Sequence, residues 1–350
     1  MKKVYRLLLM VISVLFVFFG IVGFFGGVVG VGLFSCAGDM KYTEKRGLKL
    51  SVFQLGTVQL GMDYGIGEHT EKPEKEYAYS LLDRAINAGV NILDTANNYG
   101  ASEAVIGEWL RGVDEAKRPL IVTKIGPFDH GSVESLREDI FSQTKKCLET
   151  LGVEAIDILM VHSVEDYEMD PEIVRAAFFE MKERGIIRYT AISAYSNNDY
   201  RVIANSGFDA VQIPINVFDQ SQVESGGIQA LADAGMMIFA RSVFLQGLVF
   251  LTPETLDPRM KFAQPYLEKF VSLCNEFNMT PAVLAASFVL SLPGITSLVL
   301  GCQTTEQLEQ NAEMLEMTRR LTSAEMAKLR SAFLDIDPRV INPRLWFNHF

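Results

Sequence analysis

Between residues 49 and 330, short apolar runs of strand length alternate with stretches of helix length, and this alternation constrains the fold more than any other feature. The strand-like runs are 52–55, 91–94, 120–124, 157–162, 189–193, 210–214, 237–241 and 297–300. Helical patterns fall between them, as at 74–88, 102–111, 133–151, 171–184 and 280–290. Eight strands in strict alternation with helices predict an α/β fold of the (β/α)8 TIM-barrel type rather than a doubly wound sheet. The 350 residues accommodate such a barrel, which needs about 250 as one domain. Turn chemistry supports the boundaries: Gly89 and Gly185 follow helical patterns, and Asp170-Pro171 predicts an N-cap with proline in the first turn. Neither a repeat of 20 to 50 residues nor an internal linker is visible.

Four polar residues sit at or just past the C-terminal ends of these runs: Asp94, Tyr99, Lys124 and His162. Taken singly, each has a plain structural reading. An Asp after a strand is commonly a turn former, a Lys commonly snorkels, a lone His commonly packs, and Tyr99 in Asn97-Asn98-Tyr99-Gly100 reads as a turn residue. Taken together they differ, because the strand ends of a parallel barrel converge on one face where the loops build an active site. A phenol, an ammonium, a carboxylate and an imidazole on that face are the parts of an acid–base site.

Charge and cysteine content narrow the partners. The chain has 43 Asp and Glu against 32 Lys and Arg, a net charge of −11, with no basic cluster beside aromatics, so nucleic acid is an unsuitable partner and a small molecule fits better. Cys36, Cys147, Cys274 and Cys302 are scattered without CxxC or Cys/His ligand spacing, which predicts no metal site, no disulfide framework and a reducing compartment.

The chain from about residue 49 to 330 resembles the aldo-keto reductases. The resemblance rests on Phe53-Gln54-Leu55-Gly56-Thr57 with Gly61, and on the stretch from Asp94 through Tyr99-Gly100-Ala101-Ser102 to Glu103. It continues through Thr123-Lys124-Ile125-Gly126, Met160-Val161-His162-Ser163, the run from Arg241 to Leu248 and the run from Gly301 to Asn311. It implies a (β/α)8 barrel and hydride transfer between NADP or NAD and a small-molecule carbonyl: an aldehyde, a ketone or a sugar. Tyr99 would protonate the carbonyl oxygen. A free phenol titrates near about 10, and Lys124, held by Asp94, would favour its phenolate. His162 would orient the carbonyl.

The resemblance also implies a cofactor site built from Gly56, Thr57, Asp94, Ser193, Gln212, Arg241, Ser242, Leu245, Gly247, Gly301, Gln303, Gln307 and Asn311. Three positions depart from the family pattern. Ala194 stands where an Asn is usual, Arg241 where an aromatic stacks on the nicotinamide, and the run from Gly301 to Gln307 has no cation for the 2′-phosphate of NADP. Weaker discrimination for NADP than is usual in the family is therefore expected, with NAD left open beside it. The alternative is a nucleotide-binding barrel with a regulatory or partner-binding role and little catalysis. Substrate walls are expected from the loop Pro127-Phe128-Asp129-His130 and from Leu345-Trp346-Phe347. Oligomeric state is left open by the resemblance.

The first 39 residues stand apart. Lys2, Lys3 and Arg6 precede an uncharged run from Leu7 to Phe34, longer than the ~20 residues that span a bilayer. Three readings follow: a membrane anchor through 7–34, a lipoprotein signal around Ser35-Cys36, or translation from a start upstream of the true one at Met40. Positive charge before the segment would export the barrel away from cytosolic nicotinamide, so the catalytic domain of 40–350 is expected in the cytoplasm.

Overall fold

The structure, a computed structural model, describes residues 40–63 and 71–346. The expected segment 7–34, Cys36 and Phe347 lie outside the described residues. The chain first forms an antiparallel hairpin of β1 (Tyr42–Lys45) and β2 (Leu48–Ser51). Its two-residue turn, Arg46-Gly47, has both residues left-handed, the geometry that matches strand twist in a tight hairpin.

Eight parallel strands then close into a barrel: β3 (Phe53–Gly56), β4 (Ile92–Asp94), β5 (Leu120–Ile125), β6 (Ile156–Val161), β7 (Ile187–Ser193), β8 (Ala210–Pro214), β9 (Met237–Arg241) and β10 (Ile295–Gly301). They pair in chain order, and β10 closes the ring against β3. The predicted (β/α)8 barrel is the fold observed. Each predicted strand is present, 210–214 and 237–241 to the residue and the others with an end moved by one to a few residues. The hairpin was not anticipated, and its Leu50 packs into the same inner cluster as the barrel interior, so it covers the N-terminal end.

Two apolar layers explain the strand pattern. Ile92, Val122, Ile158, Met160, Ala191, Ala210 and Phe239 face inward and form a closed inner cluster. Alternate residues such as Phe53, Leu55, Leu93, Ile121, Leu159, Val161, Val211 and Ile238 face the helices in the outer core. Because side chains alternate with period two, the next inward position after each inner residue is fixed: Asp94 after Ile92, Lys124 after Val122, Ser193 after Ala191, Gln212 after Ala210 and Arg241 after Phe239. His162 stands at the same parity after Met160, just past β6. Polar groups therefore share the C-terminal end of the interior, above an apolar floor.

Helices Lys75–Asn87, Ser102–Leu110, Val133–Leu151 and Pro171–Glu183 lie where the periodicity predicts them. The first buries Ala78, Leu81, Leu82 and Ala85, a single stripe at helical spacing. Val133–Leu151 opens with a Ser132–Ser135 capping box and stops at left-handed Gly152. After β7 and β8 the helices are short, Tyr200–Ala204, Ser221–Glu224 and Gly227–Asp233, whereas the β9–β10 connection carries two, Gln264–Phe277 and Pro281–Ser291. Among the described residues no single helix is long and apolar enough to cross a membrane.

One buried carboxylate ties the hairpin to the barrel. Asp209 accepts from Thr190 N at 2.9 Å, from Arg46 Nη1 in the hairpin turn at 2.8 Å and from Lys182 Nζ at 2.6 Å. Replacing Asp209 with Ala is expected to lower unfolding free energy by about 2 kcal/mol, because the buried Thr190 amide loses its acceptor and two cations lose theirs. Chemical denaturation at constant m-value measures this, and an unchanged midpoint would refute it.

Candidate active site

The site is organised around a fully buried ammonium. Lys124 Nζ lies 2.8 and 2.6 Å from the two Asp94 oxygens, 3.0 Å from the Thr95 carbonyl and 3.4 Å from the Tyr99 hydroxyl. Burial acts to discharge this amine, but the charges and hydrogen bonds of Asp94 and Tyr99 outweigh it and raise the Lys124 pKa above its ordinary value. Asp94 is held from the other side as well. Gln212 Nε2 donates to Asp94 Oδ1 at 2.7 Å. Since β4 and β8 are opposite one another in the ring, this bond spans the barrel.

Tyr99 reaches the ammonium because two loops interlock through glycines. Ala101 N donates to Gly61 O at 3.0 Å, and Ser102 N donates to Tyr99 O at 3.0 Å. A Cβ on Gly61 would collide with the Tyr99 carbonyl, and one on Gly100 with the Gly61 carbonyl. Gly100 is also left-handed, with φ 57°. Beneath them the hydroxyls of Thr57, Ser102 and Thr95 form a buried chain with links of 2.8 and 2.9 Å. Thr57, predicted at the cofactor, spends its hydroxyl here and on the Asp94 carbonyl at 2.8 Å.

His162 stands edge-on to Tyr99, with ring centroids 5.9 Å apart. Its Nδ1 is buried with no hydrogen-bond partner. Burial, then the charges of Lys124 and Arg241, push its pKa down to about 4, so the ring is neutral near pH 7.

The remaining predicted residues surround this centre unevenly. Ser193 is buried at its inward position on β7. Arg241 Nη2 donates to Ala194 O at 2.9 Å, and the guanidinium lies 5.0 Å from the centre of the Tyr195 ring. Past β9, Ser242, Leu245 and Gln246 are left-handed with φ of 60°, 45° and 52°, followed by Gly247 at 92°. Such non-glycine residues cost about 1–3 kcal/mol each, and strain of this kind gathers at ligand sites. Gly56 and Gly301 pair in register across β3 and β10, with the Gln59 amide against Gly301. Gln303 N donates to Gln307 Oε1 at 2.8 Å and Asn311 Nδ2 to Cys302 Sγ at 3.2 Å, which folds this loop onto helix Thr305–Met317.

Several features escaped the sequence. Asp170 makes no side-chain cap to the helix it precedes, contrary to expectation; its Oδ2 lies 2.7 Å from His130 Nδ1. The other His130 nitrogen lies 2.8 Å from Asp166 Oδ1, which also accepts from Phe128 N at 3.2 Å. The loop after β5 is thereby latched to the helix Val164–Met169 after β6. Phe128 and Trp346, expected as substrate walls, pack in the outer core, and Trp346 Nε1 donates to Arg339 O at 2.8 Å. Gln54 occupies an inward position on β3 with both amide atoms buried and unpartnered, one inward step below Gly56. The period-two pattern of β3 was the signal for Gln54; nothing local marked the His130 latch.

The structure is a parallel barrel with a buried ammonium–carboxylate pair, a phenol and a neutral imidazole gathered at one mouth, the end where barrel enzymes carry their active sites. The model of the Aldo/keto reductase family matches residues 53–333. The uncharacterized oxidoreductase YqkF of Bacillus subtilis is 30% identical over 302 residues, covering 79% of this chain and 95% of that protein. Aldo-keto reductase str7 of Strobilurus tenacellus is 26% identical, covering 79% of this chain and 86% of its own. Among solved structures, the holo form of aldo-keto reductase AKR11C1 from Bacillus halodurans shares the fold with a TM-score of 0.69 at 20% identity, covering 87% of this chain and all of its own. The chain belongs to the aldo/keto reductase family. It is an NAD(P)H-dependent oxidoreductase.

The residues present fit a dinucleotide in part. The strained Ser242–Gly247 loop presents open backbone at Gly247, where a Cβ would meet nothing within 4 Å, whereas the Gln59 amide fills the space beside Gly301. Against this, Gln212 has one amide proton committed to Asp94, and the Ala194 carbonyl is taken by Arg241.

Two outcomes follow from this geometry. Gly61→Ala is expected to displace the Tyr99 loop and lower kcat on the order of a hundredfold, the scale of a misplacement near 1 Å; a kcat within a factor of two in the folded variant would refute the interlock. The second concerns the histidines. Burial opposes charge on His130, but its bonds to Asp166 and Asp170 outweigh it and raise the pKa. The latch therefore contributes its full stability below the ordinary histidine value of about 6.5, and that contribution is lost as pH rises through the raised folded value. An NMR titration should give a His130 midpoint above 6.5 and no His162 transition above pH 5.

Proposed function

We propose that this chain reduces the carbonyl group of a small aldehyde, ketone or sugar, with Tyr99 as the proton donor. The observation that carries the reading is the single ammonium of Lys124, which contacts both the Asp94 carboxylate and the Tyr99 hydroxyl. As the Tyr99 proton leaves, negative charge develops on an oxygen already facing that ammonium, and Asp94 keeps the ammonium in place. His162, being neutral, donates one N–H. With Nδ1 buried and unpartnered, the tautomer protonated at Nε2 directs that donor at the substrate oxygen, which orients and polarises the carbonyl. When bound, the nicotinamide supplies the hydride.

The holding residues in this reading are Ser193 and Gln212 at the ring end, Ser242, Leu245 and Gly247 along the phosphates, and Gly301, Gln303, Gln307 and Asn311 beyond. The absence of Lys and Arg from Gly301 to Gln307, with Glu306 in the first turn of helix Thr305–Met317, supports acceptance of NADH alongside NADPH. Every residue of the proposal lies within 40–350, so the chain begun at Met40 should turn over as the full chain does.

Tyr99→Phe tests the proposal. It should abolish carbonyl reduction, a loss of at least about a hundredfold in kcat, while NADH and NADPH fluorescence titrations stay within a few-fold of the unaltered protein. Retained turnover would remove Tyr99 from the role. Lost cofactor binding would instead make it a binding residue.

A further inference from the structure

The site carries a positive charge that no carboxylate among the described residues contacts. Lys124 and Asp94 cancel, and His162 is uncharged near pH 7. Arg241 remains. Its guanidinium bonds to a carbonyl oxygen, Ala194 O, and lies 3.5 Å from the Ser242 hydroxyl, with the Tyr195 ring beside it. Among the described residues no carboxylate pairs with it. Its position is equally defined. Arg241 is the inward residue after Phe239 on β9, and β9 is opposite β5, which carries Lys124. From there the guanidinium reaches back over β8 to the end of β7. The two cations therefore flank the mouth in which the carbonyl must meet its hydride donor.

Hydride transfer changes the charge in that mouth. The carbonyl carbon gains a hydride from the reduced dinucleotide and its oxygen gains a proton, giving an alcohol, while the dihydropyridine ring becomes a pyridinium bearing one positive charge. We infer that Arg241 makes this site bind the reduced, uncharged nicotinamide in preference to the oxidised, cationic one, so that the enzyme is poised to work as a reductase and to discharge its oxidised cofactor. The inference rests on the proposed reductase site. The overall equilibrium is untouched; the relative affinities of the two cofactor forms are what shift. A half-buried fixed charge acts over several ångströms, and a unit charge at that range alters the affinity ratio on the order of tenfold. The same two cations contribute, after burial, to keeping a charge off His162.

The test is a ratio. Dissociation constants for NADH and NADPH are measured by fluorescence, and for NAD+ and NADP+ by competition, in the unaltered chain and in Arg241→Leu, Arg241→Gln and Arg241→Lys, each checked for a cooperative thermal transition. The expected result is that the oxidised-to-reduced ratio of dissociation constants falls about tenfold in whichever neutral variant folds and stays near the unaltered value in Arg241→Lys. Weakening of both forms by the same factor, which a guanidinium engaged with the dinucleotide phosphates would give, overturns the inference. So does a ratio in the Leu or Gln variant within twofold of the unaltered chain. If the unaltered chain binds none of the four dinucleotides, the reductase reading fails and this inference falls with it; if it binds and turns over but the ratio is insensitive to Arg241, only this inference fails.

Discussion

A buried ammonium is the constraint around which the structure is arranged. Lys124 is among the largest fully buried side chains, and an isolated charge in such a place costs several kcal/mol even after relaxation. Only an opposite charge in direct contact offsets that cost. Asp94 must therefore sit on the neighbouring strand at the same inward parity, and it does, at 2.6 Å. Asp94 has lone pairs left over, and Gln212 satisfies one from across the barrel. Three strands and the Tyr99 loop are thus fixed by one charge, which is how a site gains precision from rigid strands rather than from its loops.

The loops supply what the strands cannot. Tyr99 is carried by a loop, and its place depends on Gly61 and Gly100 meeting backbone to backbone. The His130 latch joins the loop after β5 to the helix after β6, and beside it a Cβ at Gly126 would collide with Asp166 Oδ2. The two described histidines of this face are driven in opposite directions by their neighbours. His130 lies between two carboxylates and favours its charge, whereas His162 is buried beside two cations and loses it. An imidazole of the second kind suits hydrogen bonding to a carbonyl.

Much of this was legible in the chain itself. The eight strands, Val133–Leu151 to the residue, and the convergence of Asp94, Lys124 and His162 all follow from period-two and helical patterns, because inward parity is set by local backbone geometry. The hairpin of β1 and β2 was missed because its eight residues pair only with each other and cap the barrel end, so no alternation with a helix marks them. Asp before Pro predicts a cap at Asp170, but a histidine forty positions earlier in the chain competes for the same carboxylate. The resemblance places Thr57 and Gln212 at the cofactor, but both also serve buried neighbours that sequence proximity does not disclose.

By itself the sequence determined the barrel, the face on which its chemistry gathers and the residue types available there. These depend on short-range periodicity and on the rule that parallel strands end on a common face. Tertiary structure alone decided which polar groups meet. It set Lys124 between Asp94 and Tyr99, left His162 neutral, turned Arg241 toward the Ala194 carbonyl, and joined His130 to two aspartates. The physical reason is that charge interactions depend on distance and burial across the ring of strands, and those are settled only when the barrel closes.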